Sequence, residues 1–231
     1  MRKLLLGTVS LMAATALAGG TAAAQMPNFF SGPAVNWTGP YAGVEGGYGW
    51  GANRQTDPTG FNSGHYSSSG GLVGGTLGYN WELPNHLVLG AETDLSWTDI
   101  AGKDRNAVCG GGAPDYCESR LDFLGTVRGR VGYSFGRIMP FATGGFAYGG
   151  LHGAESDAAA IGSGNSINTG WTAGAGVAAA LAPNWSAKVE YLHVDLGNQH
   201  TFDDTVPGAT VPQSLDFSSD IIRVGLDYKF Q

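Results

Sequence analysis

Residues 170–197 read GWTAGAGVAAALAPNWSAKVEYLHVDLG. In the first half the odd positions are Trp171, Ala173, Ala175, Val177, Ala179 and Leu181. The even positions are Thr172, Gly174, Gly176, Ala178 and Ala180, all small or weakly polar. Beyond Pro183-Asn184 the odd set continues as Trp185, Ala187, Val189 and Tyr191, while the even set holds Ser186, Lys188 and Glu190. A period of two denotes strands, and the Pro-Asn break between them denotes a β-hairpin. One face is wholly apolar with tryptophan at each end, and the other carries Lys and Glu. A soluble sheet would need a second layer to cover the apolar face. No helix-like stretch supplies one, so the natural cover is lipid.

The same pattern runs outward from this hairpin in both directions. Strands are expected over 40–50, 71–83, 86–98, 120–135, 140–149, 170–182, 185–196 and 220–230. Their connections alternate between long (51–70, 99–119, 150–169, 197–219) and short (84–85, 136–139, 183–184). The long ones are rich in Gly, Ser, Asn and Asp. This alternation predicts an all-β fold, an eight-stranded antiparallel up-and-down transmembrane β-barrel with four long loops outside the cell and tight turns in the periplasm.

Side-chain parity supports that reading. The outward sets are Ala42, Val44, Tyr48, Trp50; Val73, Leu77, Tyr79, Trp81; Leu87, Leu89, Ala91, Leu95, Trp97; Leu121, Phe123, Val127, Val131, Tyr133, Phe135; Ala142, Phe146, Tyr148; and Ile222, Val224, Leu226, Tyr228, Phe230. None is charged. The opposite faces carry Glu45, Glu92, Asp94, Asp122, Arg128, Arg130, Lys188, Glu190, Arg223, Asp227 and Lys229. A charged inside and an uncharged outside suits a barrel in lipid, where an outward Arg or Lys at mid-depth costs about 2–4 kcal/mol. Tryptophan position agrees, with Trp37, Trp81 and Trp185 at the periplasmic rim and Trp50, Trp97 and Trp171 at the outer rim. Two aromatic girdles follow from the affinity of indole for a membrane interface.

Met1 to Ala24 reads as a secretory signal peptide. Arg2 and Lys3 form its basic start, Leu4 to Leu17 its apolar stretch, and Ala22-Ala23-Ala24 its cleavage region, placing the cut between Ala24 and Gln25. Removing those two bases moves the formal charge from −7 to −9. Residues 25–36 form a short lead-in, and 37–231 the barrel domain. With 39 glycines and 13% charged residues, the chain suits neither a disordered nor a helical protein. Its acidic balance, without basic clusters, argues against nucleic acid. No stretch of the mature chain has 18 consecutive apolar residues, so helical membrane spans are excluded.

The hairpin motif GWT…NWS…KVEY…DLG, with the opening WTGPYAGVEGGYGWG and the closing VGLDYKF, resembles the alpha-proteobacterial outer-membrane β-barrel family. These are the RopB-like small porin-family proteins, related to OmpA-type barrels. The resemblance covers essentially the whole mature chain. It implies an outer-membrane barrel surrounded by lipid and lipopolysaccharide, inserted by the barrel-assembly machinery with periplasmic chaperones. It also implies roles in envelope integrity and host interaction, with haemin binding or porin activity among relatives. Two departures stand out. Ala178 occupies a position where relatives usually carry an inward Glu, and the aromatic end signal Phe230 is followed by Gln231.

An eight-stranded barrel is just wide enough for its own side chains to fill it. Glu45, Glu92, Asp94, Asp122, Arg128, Arg130, Lys188, Glu190 and Arg223 are therefore expected to form a packed interior ionic network, or else to line a narrow aqueous pore. Cys109 and Cys117 flank GGGAPDY in the second long loop. Export favours a disulfide between them, a local loop staple. His65, His152 and His200 fall in outer loops, His86 at a periplasmic strand start and His193 at the outer end of strand seven. Their spacing is not that of metal ligands, so no metal or cofactor is expected. Gly132-Tyr133-Ser134-Phe135-Gly136 matches G-x-S-x-G, but it ends a strand at a turn, where a nucleophile elbow needs a following helix. The expected protein is a non-enzymatic outer-membrane barrel that presents loops at the cell surface. A small diffusion pore and a loop receptor for haemin or host molecules are the alternatives.

Overall fold

The computed structural model describes residues 35–56, 65–104, 116–156, 161–206 and 209–230. Eight strands follow in chain order: β1 (Gly39–Thr56), β2 (Tyr66–Glu82), β3 (Leu87–Asp104), β4 (Tyr116–Tyr133), β5 (Ile138–Ser156), β6 (Ile161–Ala180), β7 (Trp185–Val206) and β8 (Ala209–Lys229). Each pairs antiparallel with its sequence neighbours, and β8 closes onto β1. One row of paired residues runs Ala42, Leu77, Thr93, Val127, Phe146, Trp171, Asp195 and Ser218, and returns to β1 at Ala52. That stagger of ten residues tilts the strands against the barrel axis, as closure of a small barrel requires.

The tight turns are where the sequence puts them. At the β2–β3 turn Leu83 N donates to Leu87 O (2.7 Å), and His86 takes a left-handed φ of 65°. Gly136, with φ 74°, sits in the β4–β5 turn, and Leu181 N donates to Trp185 O (2.8 Å) across the β6–β7 turn. By the usual rule this is the periplasmic end.

The opposite end differs from expectation. Most of the residues assigned to the four long loops continue the strands, which reach 17 to 22 residues. About 9–11 residues suffice to cross the bilayer. The barrel therefore extends well beyond the membrane on the outer side.

The polarity of the wall inverts where it leaves the bilayer. Between the girdles the large outward side chains are apolar and exposed, among them Val44, Val73, Leu77, Val127, Val131, Val189 and Val224. Above Trp50, Trp97 and Trp171 the outward positions carry ion pairs: Arg54–Asp216 (2.9 Å), Lys103–Glu118 (3.0 Å) and Arg120 with both Asp99 (3.4 Å) and Asp122 (3.1 Å). The inward positions at that height include a large apolar cluster, beside the buried polar side chains of Asn53, Gln55 and Ser119. Membrane barrels are inside-out only where lipid surrounds them. Above the girdle this one has the polarity of a soluble protein.

A bulge in β4 produces the main parity error. The register shifts between Leu121 and Phe123 against β5, and between Trp97 and Ile100 against β3. One extra residue turns the alternation over. Leu121, expected to face lipid, is fully buried in the lumen, and Asp122, expected inside, is exposed on the outer wall.

Candidate functional site in the barrel lumen

The lumen is filled in layers. At the periplasmic end Trp37, Val88, Met139, Phe141, Ala178 and Ala180 form an apolar cluster, with Val35 against it. The charged residues lie above it. Over them sits a second apolar cluster of Leu72, Ile100, Leu121, Leu124, Ala147, Leu151, Leu192, Val194, Leu196, Leu215, Phe217 and Ile221. Higher still, Asn53 Nδ2 donates to Ser119 Oγ (2.6 Å) and Gln55 Nε2 to Glu118 O (3.1 Å).

The charged layer is a single connected network. Arg128 donates to Glu92, to Asp94 Oδ2 (2.9 Å), to Glu190 Oε1 (2.7 Å) and to Thr126 Oγ1 (2.9 Å). Arg223 meets Glu190 Oε2 (2.8 Å), Glu45 Oε1 (2.5 Å) and Asp94 Oδ2 (3.1 Å). Arg130 binds Glu92 Oε2 (2.6 Å) and stacks on Phe141, its guanidinium carbon 4.1 Å from the ring centre. Lys188 Nζ lies 3.0 Å from Glu92 Oε2 and 3.8 Å from both Glu45 and Asp227. Tyr41, Ser96 and Thr126 donate hydroxyls to Glu92, Glu45 and Asp94 (2.6, 3.2 and 2.6 Å). Every one of these charged side chains is almost completely excluded from solvent. Buried charges persist only when paired and hydrogen-bonded in this way.

Comparison with known proteins fits this architecture. The sequence profile of the outer membrane protein beta-barrel domain matches residues 10–230. The chain belongs to that family. It is 33% identical to the 31 kDa outer-membrane immunogenic protein of Brucella melitensis biotype 1 over 246 residues, covering 100% of both chains. It is 31% identical to the 25 kDa outer-membrane immunogenic protein of Brucella abortus biovar 1, covering 86% of this chain and 81% of that one. It is 29% identical to the 22 kDa outer membrane protein of Rhizobium leguminosarum bv. viciae, covering 86% and 80%. Among solved structures, the outer membrane protein OprG from Pseudomonas aeruginosa superposes with a TM-score of 0.50 at 10% identity, over 85% of this chain and 98% of that one. The protein resides in the outer membrane.

In this outer-membrane β-barrel the charged side chains need space as well as partners, and cross-strand glycines provide it. Arg128 pairs with Gly145, Arg223 with Gly47, Lys188 with Gly225, Glu190 with Gly176 and Glu92 with Gly78. A Cβ on Gly47 would come within 2.8 Å of Arg223 Cα, and one on Gly145 within 2.7 Å of Arg128 Cα. Both contacts are with backbone, which yields less readily than a side-chain tip. Gly47→Ala is accordingly expected to cost about 1–3 kcal/mol through overpacking, read as a lower urea midpoint of the refolded barrel. A midpoint equal to wild type would show that this pairing is not tightly packed.

The structure brings together Glu45, Glu92, Asp94, Arg128, Arg130, Lys188, Glu190 and Arg223. Asp122 is the exception: the β4 bulge puts it outside, on Arg120. Trp37 also departs from expectation. It is buried inside the periplasmic end, where its indole Nε1 donates to Gly136 O (3.3 Å), and does not face lipid. Trp50, Trp81, Trp97, Trp171 and Trp185 are exposed on the wall. Ala24, Gln25, Cys109 and the side chains of Cys117 and His200 lie outside the described residues. Ser134 is buried beside the β4–β5 turn, with a strand following it. His65 is exposed, and His152 Nδ1 lies 2.7 Å from Asn165 Oδ1.

His193 belongs to a cluster that the sequence did not disclose. Asp220 Oδ1 accepts from Tyr191 Oη (2.6 Å) and from His193 Nδ1 (2.8 Å), and the imidazole lies 5.4 Å from the Trp171 ring. These outward groups satisfy one another at the height of the outer girdle. His193→Ala is expected to cost no more than about 1 kcal/mol, as for a partly exposed hydrogen bond. A urea midpoint far below wild type would give the cluster a larger structural role.

Proposed function

We propose that this protein is a structural and surface-presenting barrel of the outer membrane that conducts no ions and catalyses no reaction. The observation that supports this reading is the apolar layer above the charge network, built from residues such as Ile100, Leu121, Leu192, Leu215 and Phe217, none more than 1% exposed. An ion crossing the lumen would have to leave its water among these side chains, at a prohibitive desolvation cost. It would then have to part a network whose members are already paired. The wall between the girdles is covered by outer-membrane lipid, and the part above the outer girdle stands among lipopolysaccharide.

The test is planar-bilayer conductance of refolded residues 25–231, with heat-dependent gel mobility to establish that the barrel has folded. A folded and silent barrel is the expected result. Reproducible open steps that change on replacing Arg128 or Glu190 would overturn it in favour of a pore. Saturable haemin binding lost on replacing His65 and His152 would instead make the outer end a receptor.

A further inference from the structure

Below the charge network lies a small cavity of about 20 Å³, whose lining includes Asn80, Arg130, Ala178 and Asp227. Three of the lining residues, Asn80, Arg130 and Asp227, are each no more than 5% exposed. Each also has a polar atom that makes no hydrogen bond among the described residues: Asn80 Oδ1, Arg130 Nε and Asp227 Oδ1. Two of these are acceptors and one is a donor.

We infer that this cavity is a binding site for one ordered water molecule, which joins Asn80, Arg130 and Asp227 at the foot of the charge network. The volume suffices, since a single water needs about 10–15 Å³ on this measure. The chemistry selects water over the alternatives. A cation would face the Arg130 N–H, and an anion would face the Asp227 carboxylate. A neutral molecule able to donate twice and accept once satisfies all three atoms. Water in this position extends the network to Asp227, whose nearest cation, Lys188, lies 3.8 Å away. Glycines on the neighbouring strands leave room for the two oxygens themselves. A Cβ on Gly90 would approach Asn80 Oδ1 to 2.5 Å, and one on Gly43 would strike the Asp227 carboxylate.

Two measurements test the assignment on the refolded mature chain. A crystal structure that resolves ordered water is expected to show one molecule within hydrogen-bonding distance of all three atoms. Empty density, or Asp227 turned onto Lys188 with Asn80 facing Arg130, would overturn the site. Ala178 lines the cavity, so substitutions there give an independent reading. With water bound, Ala178→Ser adds a hydroxyl that can take over one of its two donated hydrogen bonds, and lowers the urea midpoint only slightly. Ala178→Val expels the water, leaves the three atoms unpaired and lowers the midpoint. A dry cavity gives the reverse order, because added methyls would then fill a void. The reverse order, or equal midpoints for the two variants, would overturn the proposal.

Discussion

Replacing Arg128 with Met is expected to destabilise the folded barrel by about 3–5 kcal/mol, the usual cost of removing one partner from a buried ion pair. Arg128 touches three carboxylates, those of Glu92, Asp94 and Glu190, and its side chain has no solvent exposure. In its absence the carboxylates face one another across a neutral side chain. The layer already holds five acids (Glu45, Glu92, Asp94, Glu190, Asp227) against four bases (Arg128, Arg130, Lys188, Arg223), so the loss deepens an existing imbalance. The measurement is urea titration of the heat-modifiable folded band in lipid. Adding Glu190→Gln to Arg128→Met restores the original net charge, and the double variant is expected to recover part of the loss. If the two changes are simply additive, Arg128 and Glu190 are not energetically coupled and the network is less connected than its distances indicate.

Val127→Arg is expected to cost about 2–4 kcal/mol, the penalty for a cation on the lipid face near mid-bilayer. Val127 is 54% exposed on β4, six residues above the periplasmic end of the strand at Tyr133. Its cross-strand partners are Thr93 and Phe146, so no carboxylate is paired opposite it. Arg120 provides the comparison, since it faces outward on the same strand, but above the girdle and between two aspartates. Folding titrations in liposomes of defined thickness would measure the difference. A cost below about 0.5 kcal/mol would place Val127 outside the hydrocarbon region and contradict the girdle assignment.

Much of this fold was legible in the sequence because lipid forces a strict rule on the strands that cross it. Residues 185–191 alternate so cleanly that Lys188 and Glu190 could be placed inside without any structure. The rule stops at the girdle. Above it the wall meets water, the outward residues become polar, and segments such as 197–219 read as loop by composition. Leu215 and Phe217 were present in that segment, at the period-two spacing of a buried face, but with the opposite polarity to the strands below. The signal was there as an inversion of phase. Asp122 failed for a different reason: a bulge adds one residue without any local change in composition, and parity counted from Arg128 cannot detect it. Trp37 failed because it precedes the first strand, where alternation has nothing to say about direction. The pairing partners within the network were beyond reach, since they depend on the stagger of the whole barrel.

The inversion of the wall also divides the barrel into two parts built for different solvents. β8 runs from Ala209 down to Asp220 before it reaches the outer girdle, where Asp220 pairs with Trp50. At about 3.4 Å per residue and a tilt of about 40°, that stretch rises roughly 29 Å above the outer girdle. The strands above the girdle thus form a column with an apolar interior of its own, at the level of Leu215 and Phe217. Because the column carries its own hydrophobic core, its strands hold together without lipid, whereas the apolar wall below the girdle depends on the bilayer to cover it.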